Sequence, residues 1–320
     1  MRRAPALVRV LVLLGGFGLV AGCSPSSPSS PSVDDPAAGH DRIAVVAPAA
    51  AEMLADLGLA QQVVAVGDFV LWPPELTTLP KLGAYDDPNE ERVLALGADV
   101  LITAKSLASG PSSQRLRSLG VEVIELDTDT YQGMLAAFDV LGRRFGREAE
   151  AQRLVAEMER RLDAVRRKSA DAPRRKVLFV VGQEPLFVAG PGSHIDQMIT
   201  DAGGVNVAHD ALSSYQLMSL EAVLERQPEV IIDTSDNRPG ALRGRQPGSW
   251  GRWPFLPAVT SDQVYWVDPQ RLVIPGPRLP AMTELMGQLI HPEIFGPASA
   301  ADLGPMPDAA SPAPSSEPLP

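Results

Sequence analysis

Short β-branched and apolar runs recur along this chain, and between them apolar residues return every three or four positions. Ile43-Ala44-Val45-Val46, Val63-Val64-Ala65-Val66, Val100-Leu101-Ile102-Thr103 and Val121-Glu122-Val123-Ile124 read as buried strands, and Ala49 to Leu57 as a helix ended by Gly58. Strands alternating with helices predict a mostly parallel sheet. From about Tyr131 to Lys168 there is no proline, and Leu135, Phe138, Leu141, Phe145, Ala149, Leu154, Met158, Leu162 and Val165 fall roughly on one face. The spacing predicts an amphipathic helix, bent near Gly142 or Gly146; about 35 residues at 1.5 Å each would span some 50 Å, enough to bridge two lobes. A new strand, Val177-Leu178-Phe179-Val180-Val181, opens the second half, and the alternation continues to a helix beginning near Pro280.

One pattern occurs once in each half. Glu91-Arg92-Val93-Leu94 leads to Val100-Leu101-Ile102-Thr103, and Glu221-Ala222-Val223-Leu224 leads to Val230-Ile231-Ile232-Asp233. A repeated helix-strand unit implies two similar α/β lobes, placed here at 41–130 and 174–296 with the linking helix at 131–170. A Glu in the first turn complements the helix dipole, which is a sufficient structural reason for both carboxylates.

The ends of the chain differ from its middle. Arg2, Arg3 and Arg9 precede an apolar run from Val10 to Val20, short for a membrane span and followed by Leu19-Val20-Ala21-Gly22-Cys23. This reads as a secretory signal, and its Leu-x-Ala-Gly-Cys end resembles the lipobox of bacterial lipoproteins, which implies removal of residues 1–22 and acylation of Cys23. Cys23 is the one cysteine, so an intrachain disulfide is excluded and an unpaired thiol or an intermolecular bridge is the alternative. The Ser/Pro stretch that follows, to about residue 40, has little to bury and reads as a disordered tether, and the Ala/Pro/Ser-rich 297–320 as a disordered tail. The net charge of −11 argues against nucleic acid or an anionic membrane surface as the main partner.

Only 5% of residues are aromatic, so their positions carry information. Phe69, Trp72, Tyr85, Phe187, Tyr215, Trp250 and Trp253 sit in segments that punctuate the predicted strands and helices. In open α/β sheets ligands bind outside the carboxyl ends of the strands, so these rings are candidates to line one cleft; each can instead cover the core of its own lobe. Gly190-Pro191-Gly192-Ser193 precedes a helix and is either an anion-holding loop or a plain turn with an N-cap.

Val46-Ala47-Pro48-Ala49-Ala50-Ala51-Glu52, Trp72-Pro73-Pro74, Leu82-Gly83 through Glu91-Arg92-Val93-Leu94-Ala95-Leu96, and Tyr215 to Ser219-Leu220-Glu221-Ala222-Val223-Leu224 resemble, as a set, the periplasmic binding proteins for iron chelates and cobalamin. The resemblance covers about Arg42 to Phe295. It implies two α/β lobes joined by one long helix, no enzymatic activity, no intrinsic cofactor, and delivery of a cobalt- or iron-containing chelate to an ABC importer by a monomer held at a bacterial membrane only through its lipid. Glu91 and Glu221 match the positions that meet arginines of the paired permease subunits. Trp72, Tyr85, Phe187 and Tyr215 match cleft aromatics of the cobalamin-binding members, and Phe69 and Trp253 are taken with them. Ala84 stands where haem-binding members usually place a ligating Tyr. Asp268 is a candidate polar contact, and Arg271 and Arg278 are candidate partners for an anionic siderophore or for haem propionates.

Two other classes compete. A secreted α/β enzyme is one, yet the chain has no Gly-x-Ser-x-Gly elbow, His-Glu-x-x-His, P-loop or dinucleotide fingerprint. A zinc- or manganese-binding lipoprotein is the other, but His40, His194, His209 and His291 are scattered, and no metal site is assigned to the protein itself.

Overall fold

The computed structural model describes residues 41–84, 87–105, 110–128, 130–236 and 243–303; Cys23, His40 and Tyr85 lie outside them. The first lobe rests on β1 (Ile43–Val45), β2 (Val63–Val66), β3 (Val100–Ala104) and β4 (Glu122–Leu126), all parallel in the order β2-β1-β3-β4. Ile43, Val45, Val100 and Ile102 enter one apolar cluster, while Ala44, Val46 and Leu101 enter another. Burial on both faces is why these strands read as unbroken apolar runs. Helices α1 (Pro48–Asp56), α2 (Pro74–Thr77), α3 (Glu90–Ala95) and α4 (Pro111–Ser118) make the connections. Val93 of α3 and Leu116 of α4 close the outer face.

The predicted helix from Tyr131 to Lys168 is two helices, α5 (Tyr131–Arg144) and α6 (Glu148–Ser169). Gly146, at φ +64°, turns the corner in a conformation that costs glycine nothing. The helices then run back along each other: a Cβ on Gly142 would lie 2.7 Å from that of Ala151, and Arg166 near the end of α6 reaches the hydroxyl of Tyr131 at 3.1 Å. Apolar spacing persists through the corner because both helices feed the same core, with Phe138 and Leu141 on α5 and Met158 and Leu162 on α6. The joining helix is therefore α6, whose 22 residues span about 33 Å.

Among the described residues the second lobe holds seven strands: β5 (Arg175–Gln183), β6 (Leu186–Ala189), β7 (Gly204–Asn206), β8 (Tyr215–Leu217), β9 (Val230–Asp233), β10 (Gly244–Arg245) and β11 (Val264–Trp266). Their order is β10-β11-β9-β5-β6-β8, with β7 also on β5. This sheet is mixed rather than mostly parallel. The parallel pairs are β11–β9, β9–β5 and β5–β7; β6, β8 and β10 run against their neighbours. The two residues between Gln183 and Leu186 are too few for a parallel crossover, so β6 must return as a hairpin. Helices α7 (His194–Asp201), α8 (Leu220–Arg226), α9 (Pro257–Thr260), α10 (Pro269–Leu272), α11 (Leu279–Ile290), α12 (Pro292–Phe295) and α13 (Ala300–Leu303) complete the lobe.

The lobes share a core. Val177, Phe179, Val230 and Ile232 belong to the same apolar cluster as Ile43, Val45, Val100 and Ile102, joined through Phe138 of α5, Leu162 of α6 and Met286 of α11. Leu178, Val180 and Ile231 face a separate outer cluster with Val223 and Trp250. One charged clamp also crosses between the lobes. Glu52 of α1, 4% exposed, takes the guanidinium of Arg278 as a fork, Oε2 to Nε at 2.7 Å and Oε1 to Nη2 at 2.6 Å.

The expected disordered tail departs from the structure at its start. Leu303 of α13 is 3% exposed and packs into the shared core, and its carbonyl accepts from the Asp268 amide at 2.9 Å. Ala/Pro/Ser composition hid this one apolar anchor. Leu303→Ala should cost about 2 kcal/mol in urea unfolding, the low end for a buried leucine because a chain end can relax. Unchanged stability would mean the segment only rests on the surface. No helix among the described residues is long and apolar enough to cross a membrane.

Candidate functional site

The carboxyl ends of the parallel strands are where an α/β sheet presents its loops. In the first lobe β2 ends at Val66 and the chain turns through Gly67 to Pro73. Gly67 is required there, since a Cβ would meet the Val46 carbonyl oxygen at 2.9 Å. Val70 is fully buried and pins the turn, while Phe69 is 49% exposed and Trp72 half-buried. Burying Val70 pushes the neighbouring ring outward.

In the second lobe the hairpin and its edge strand supply the matching surface. Ala189 pairs with Tyr215 and Phe187 with Leu217, so Phe187 and Tyr215 are diagonal neighbours on adjoining strands. Their rings stack with centroids 6.3 Å apart and planes 22° from parallel. Leu217, 62% exposed, extends the apolar surface, and the Tyr215 hydroxyl lies 3.5 Å from Nδ1 of buried His194.

Asp233, at the carboxyl end of β9, organises the next loop and was not singled out by sequence. Its Oδ2 accepts from Gln183 Nε2 at 2.7 Å and from the Trp250 indole at 2.8 Å, and its Oδ1 from the Ser235 hydroxyl at 2.6 Å. Ser249 donates to Gln183 Oε1 at 3.2 Å. An acid closing an otherwise apolar run, Val230-Ile231-Ile232-Asp233, was the available signal. Trp253, tilted against Trp250 at 5.8 Å, packs on the outer cluster of its own lobe, as a ring covering that core does.

The polar candidates are engaged inside the protein. Asp268 caps α10 by accepting from the Gln270 amide at 2.9 Å and pairs with Arg243 at 3.1 Å. Arg271 donates to the Ala301 carbonyl at 2.8 Å. Arg278 is forked onto Glu52 and donates to the Gln270 carbonyl at 2.9 Å. Burial pushes the Glu52 carboxyl above the usual carboxylate range, with Arg278 pulling against it. A pocket of about 320 Å³ has Arg271, Arg278, Glu284 and Asp302 in its lining, charges of both signs. The Gly190–Ser193 turn is a plain cap: Ser193 Oγ accepts from the Asp196 amide at 3.1 Å, and Asp196 takes the Gly192 amide at 3.4 Å.

Glu91 and Glu221 both lie exposed in the first turns of α3 and α8. Capping belongs to their neighbours, because Asn89 accepts from the Arg92 amide at 2.9 Å and Ser219 from the Ala222 amide at 3.2 Å. Among the described residues neither carboxylate is in an ion pair, whereas adjacent Glu90 pairs with Arg115 at 3.1 Å. No group of three or more His, Cys, Asp or Glu side chains that could hold a metal occurs among the described residues.

Two α/β lobes on one shared core, joined by α6, define the class of fold. The chain belongs to the periplasmic binding protein family, whose profile matches residues 43–270. It is 26% identical over 239 residues to the vitamin B12-binding protein of Vibrio cholerae serotype O1, covering 74% of this chain and 84% of that protein. It is also 26% identical over 310 residues to an uncharacterized ABC transporter substrate-binding lipoprotein, YvrC, of Bacillus subtilis, covering 91% and 96%. Among solved structures, the periplasmic heme-binding protein HutB of Vibrio cholerae superposes with a TM-score of 0.70 at 27% identity, over 79% of this chain and 100% of that one.

Proposed function

We propose that this chain is the substrate-binding component of an ABC importer, and that it holds a broad, flat, largely apolar metal chelate, a corrinoid, a haem or a ferric siderophore, against the rings at the strand ends. The stacked Phe187–Tyr215 pair carries this reading. Two half-buried rings on the adjoining strands β6 and β8 offer a face too wide for a simple ion and suited to a macrocycle, and Phe69 and Trp72 offer rings from the first lobe. Tyr85 is proposed with them from the sequence resemblance. Asp268 and Arg271 have part of their hydrogen-bonding capacity engaged inside the protein, so they are weaker members of the set, and Trp253 serves its own lobe first. Glu91 and Glu221 are proposed to dock on the permease, and acylated Cys23 to anchor the chain outside the cytoplasm.

The test is titration of the chain with cyanocobalamin, hemin and a ferric hydroxamate, read by tryptophan quenching. Trp72→Ala and Phe187→Ala should each weaken binding of the chelate that is taken up by about 1–3 kcal/mol, as expected when an aromatic anchor leaves a desolvated site. Unchanged affinity with lowered thermal stability would make these rings core cover and remove the proposal.

A further inference from the structure

The turn that carries Phe69 and Trp72 is built around a cation. Lys81 lies in an extended stretch that pairs with β2: the Val66 amide donates to the Pro80 carbonyl at 3.0 Å, and the Leu82 amide to the Val66 carbonyl at 2.8 Å. Farther out, the Asp68 amide donates to the Gly83 carbonyl at 2.9 Å, and the Gly83 amide to Asp68 Oδ1 at 3.2 Å. These bonds fix the base of the turn. At its tip the Val70 amide donates to the Gly67 carbonyl at 3.1 Å, and the Lys81 side chain adds a second tie, its Nζ donating to the Val70 carbonyl at 3.0 Å and approaching the Gly67 carbonyl at 3.5 Å. Among the described residues no carboxylate forms an ion pair with Lys81. Its charge is held by main-chain oxygens of the turn itself.

Resting on the reading of Phe69 and Trp72 as ligand contacts, we propose that Lys81 is a positioning residue for ligand capture: its ammonium gathers the Gly67 and Val70 carbonyls and so holds both rings at the angle that meets the chelate. A half-buried ammonium on carbonyls is a directional tie, whereas an apolar side chain of the same length would fill the space, take that donor from the Val70 carbonyl and leave the Gly67 carbonyl to the Val70 amide. Burial pulls the Lys81 ammonium below its usual range, with Asp68 opposing, which agrees with a charge partly withdrawn from solvent. Lys81 touches no ligand in this account. It acts through Phe69 and Trp72.

The experiment compares the wild type with Lys81→Met, Lys81→Arg and Trp72→Ala by amide hydrogen exchange and by titration with cyanocobalamin and hemin. Lys81→Met should raise exchange at the Val70 amide, which donates to the Gly67 carbonyl inside the turn, about tenfold with the rest of the first lobe unchanged, as loss of a charge-assisted hydrogen bond implies. Affinity for whichever probe the wild type binds should fall by a similar factor, and Lys81→Arg, which keeps the donors, should recover most of both effects. Unchanged exchange in Lys81→Met overturns the inference whether or not either probe binds. Raised exchange with full affinity also overturns it, while Trp72→Ala separately judges the aromatic site. Exchange raised across the whole lobe would make Lys81 a general stabiliser, and the positioning role would fall.

Discussion

Glu52→Ala should destabilise the folded chain by about 3–5 kcal/mol, the cost of leaving one member of a buried ion pair without its partner. Glu52 is 4% exposed and the Arg278 side chain 18%, so solvent screens the pair little. Removing the carboxylate strips Arg278 of both bonds of its fork, leaving the Gln270 carbonyl as the acceptor described for it. Burial works against an ionised Glu52 and holds its carboxyl above the usual range, and the guanidinium offsets that in part. The pair is thus costly to break and cheap to replace whole. Glu52→Met combined with Arg278→Met should recover most of the loss, since well-packed apolar side chains of similar volume commonly substitute for a buried ion pair. Urea unfolding of the three variants decides this, and a loss below about 1 kcal/mol in the single mutant would show the pair behaving as a surface contact.

Glu91→Arg together with Glu221→Arg should abolish delivery to the importer while leaving affinity for the bound chelate within about twofold. Each carboxylate is exposed at a helix start whose cap is another residue, Asn89 or Ser219, so reversal costs the fold about 1 kcal/mol or less per site. Across an interface the same reversal places like charges together, a penalty of several kcal/mol that acts on association rate and register. Transport and stimulated ATPase activity in vesicles holding the permease should therefore fall sharply. The double alanine variant should fall less, and its residual activity should lose salt sensitivity. Normal ATPase stimulation by the reversal variant would return both residues to the role of helix-start acids.

The periodicity that shows in sequence is the periodicity that packing enforces. Ile43, Val45, Val100 and Ile102 on one face, and Ala44, Val46 and Leu101 on the other, made β1 and β3 readable because both faces are buried. The corner between α5 and α6 was less readable, since both helices serve one core and the apolar rhythm does not change across Gly146. The antiparallel return of β6 lay in a two-residue connection, which residue type alone does not reveal. At the proposed site, the rings were legible as candidates because aromatics are rare here, although Phe187 and Tyr215 stand on strands β6 and β8 rather than in loops. The groups that hold them were not: Lys81 and Asp233 act through main-chain oxygens and an indole N–H brought together only by the fold. Asp268, Arg271 and Arg278 look like ligand contacts when read as isolated charges. Their partners, Arg243, the Ala301 carbonyl and Glu52, are distant in sequence and so were invisible to a reading by segment.

The apolar cluster that runs unbroken from β1 and β3 through α5, α6 and α11 to β5 and β9 sets the energetics of letting go. Parting the lobes enough to wet even 200 Å² of that surface would cost about 5 kcal/mol at the usual coefficient, which leaves an opened form at roughly one molecule in several thousand. A chelate held between such lobes gains little exit from thermal breathing, and it meets a site already shaped when it arrives. Work to unload the carrier then has to come from outside it, and on the docking proposed for Glu91 and Glu221, one exposed carboxylate on each lobe, it would be applied through both lobes at once.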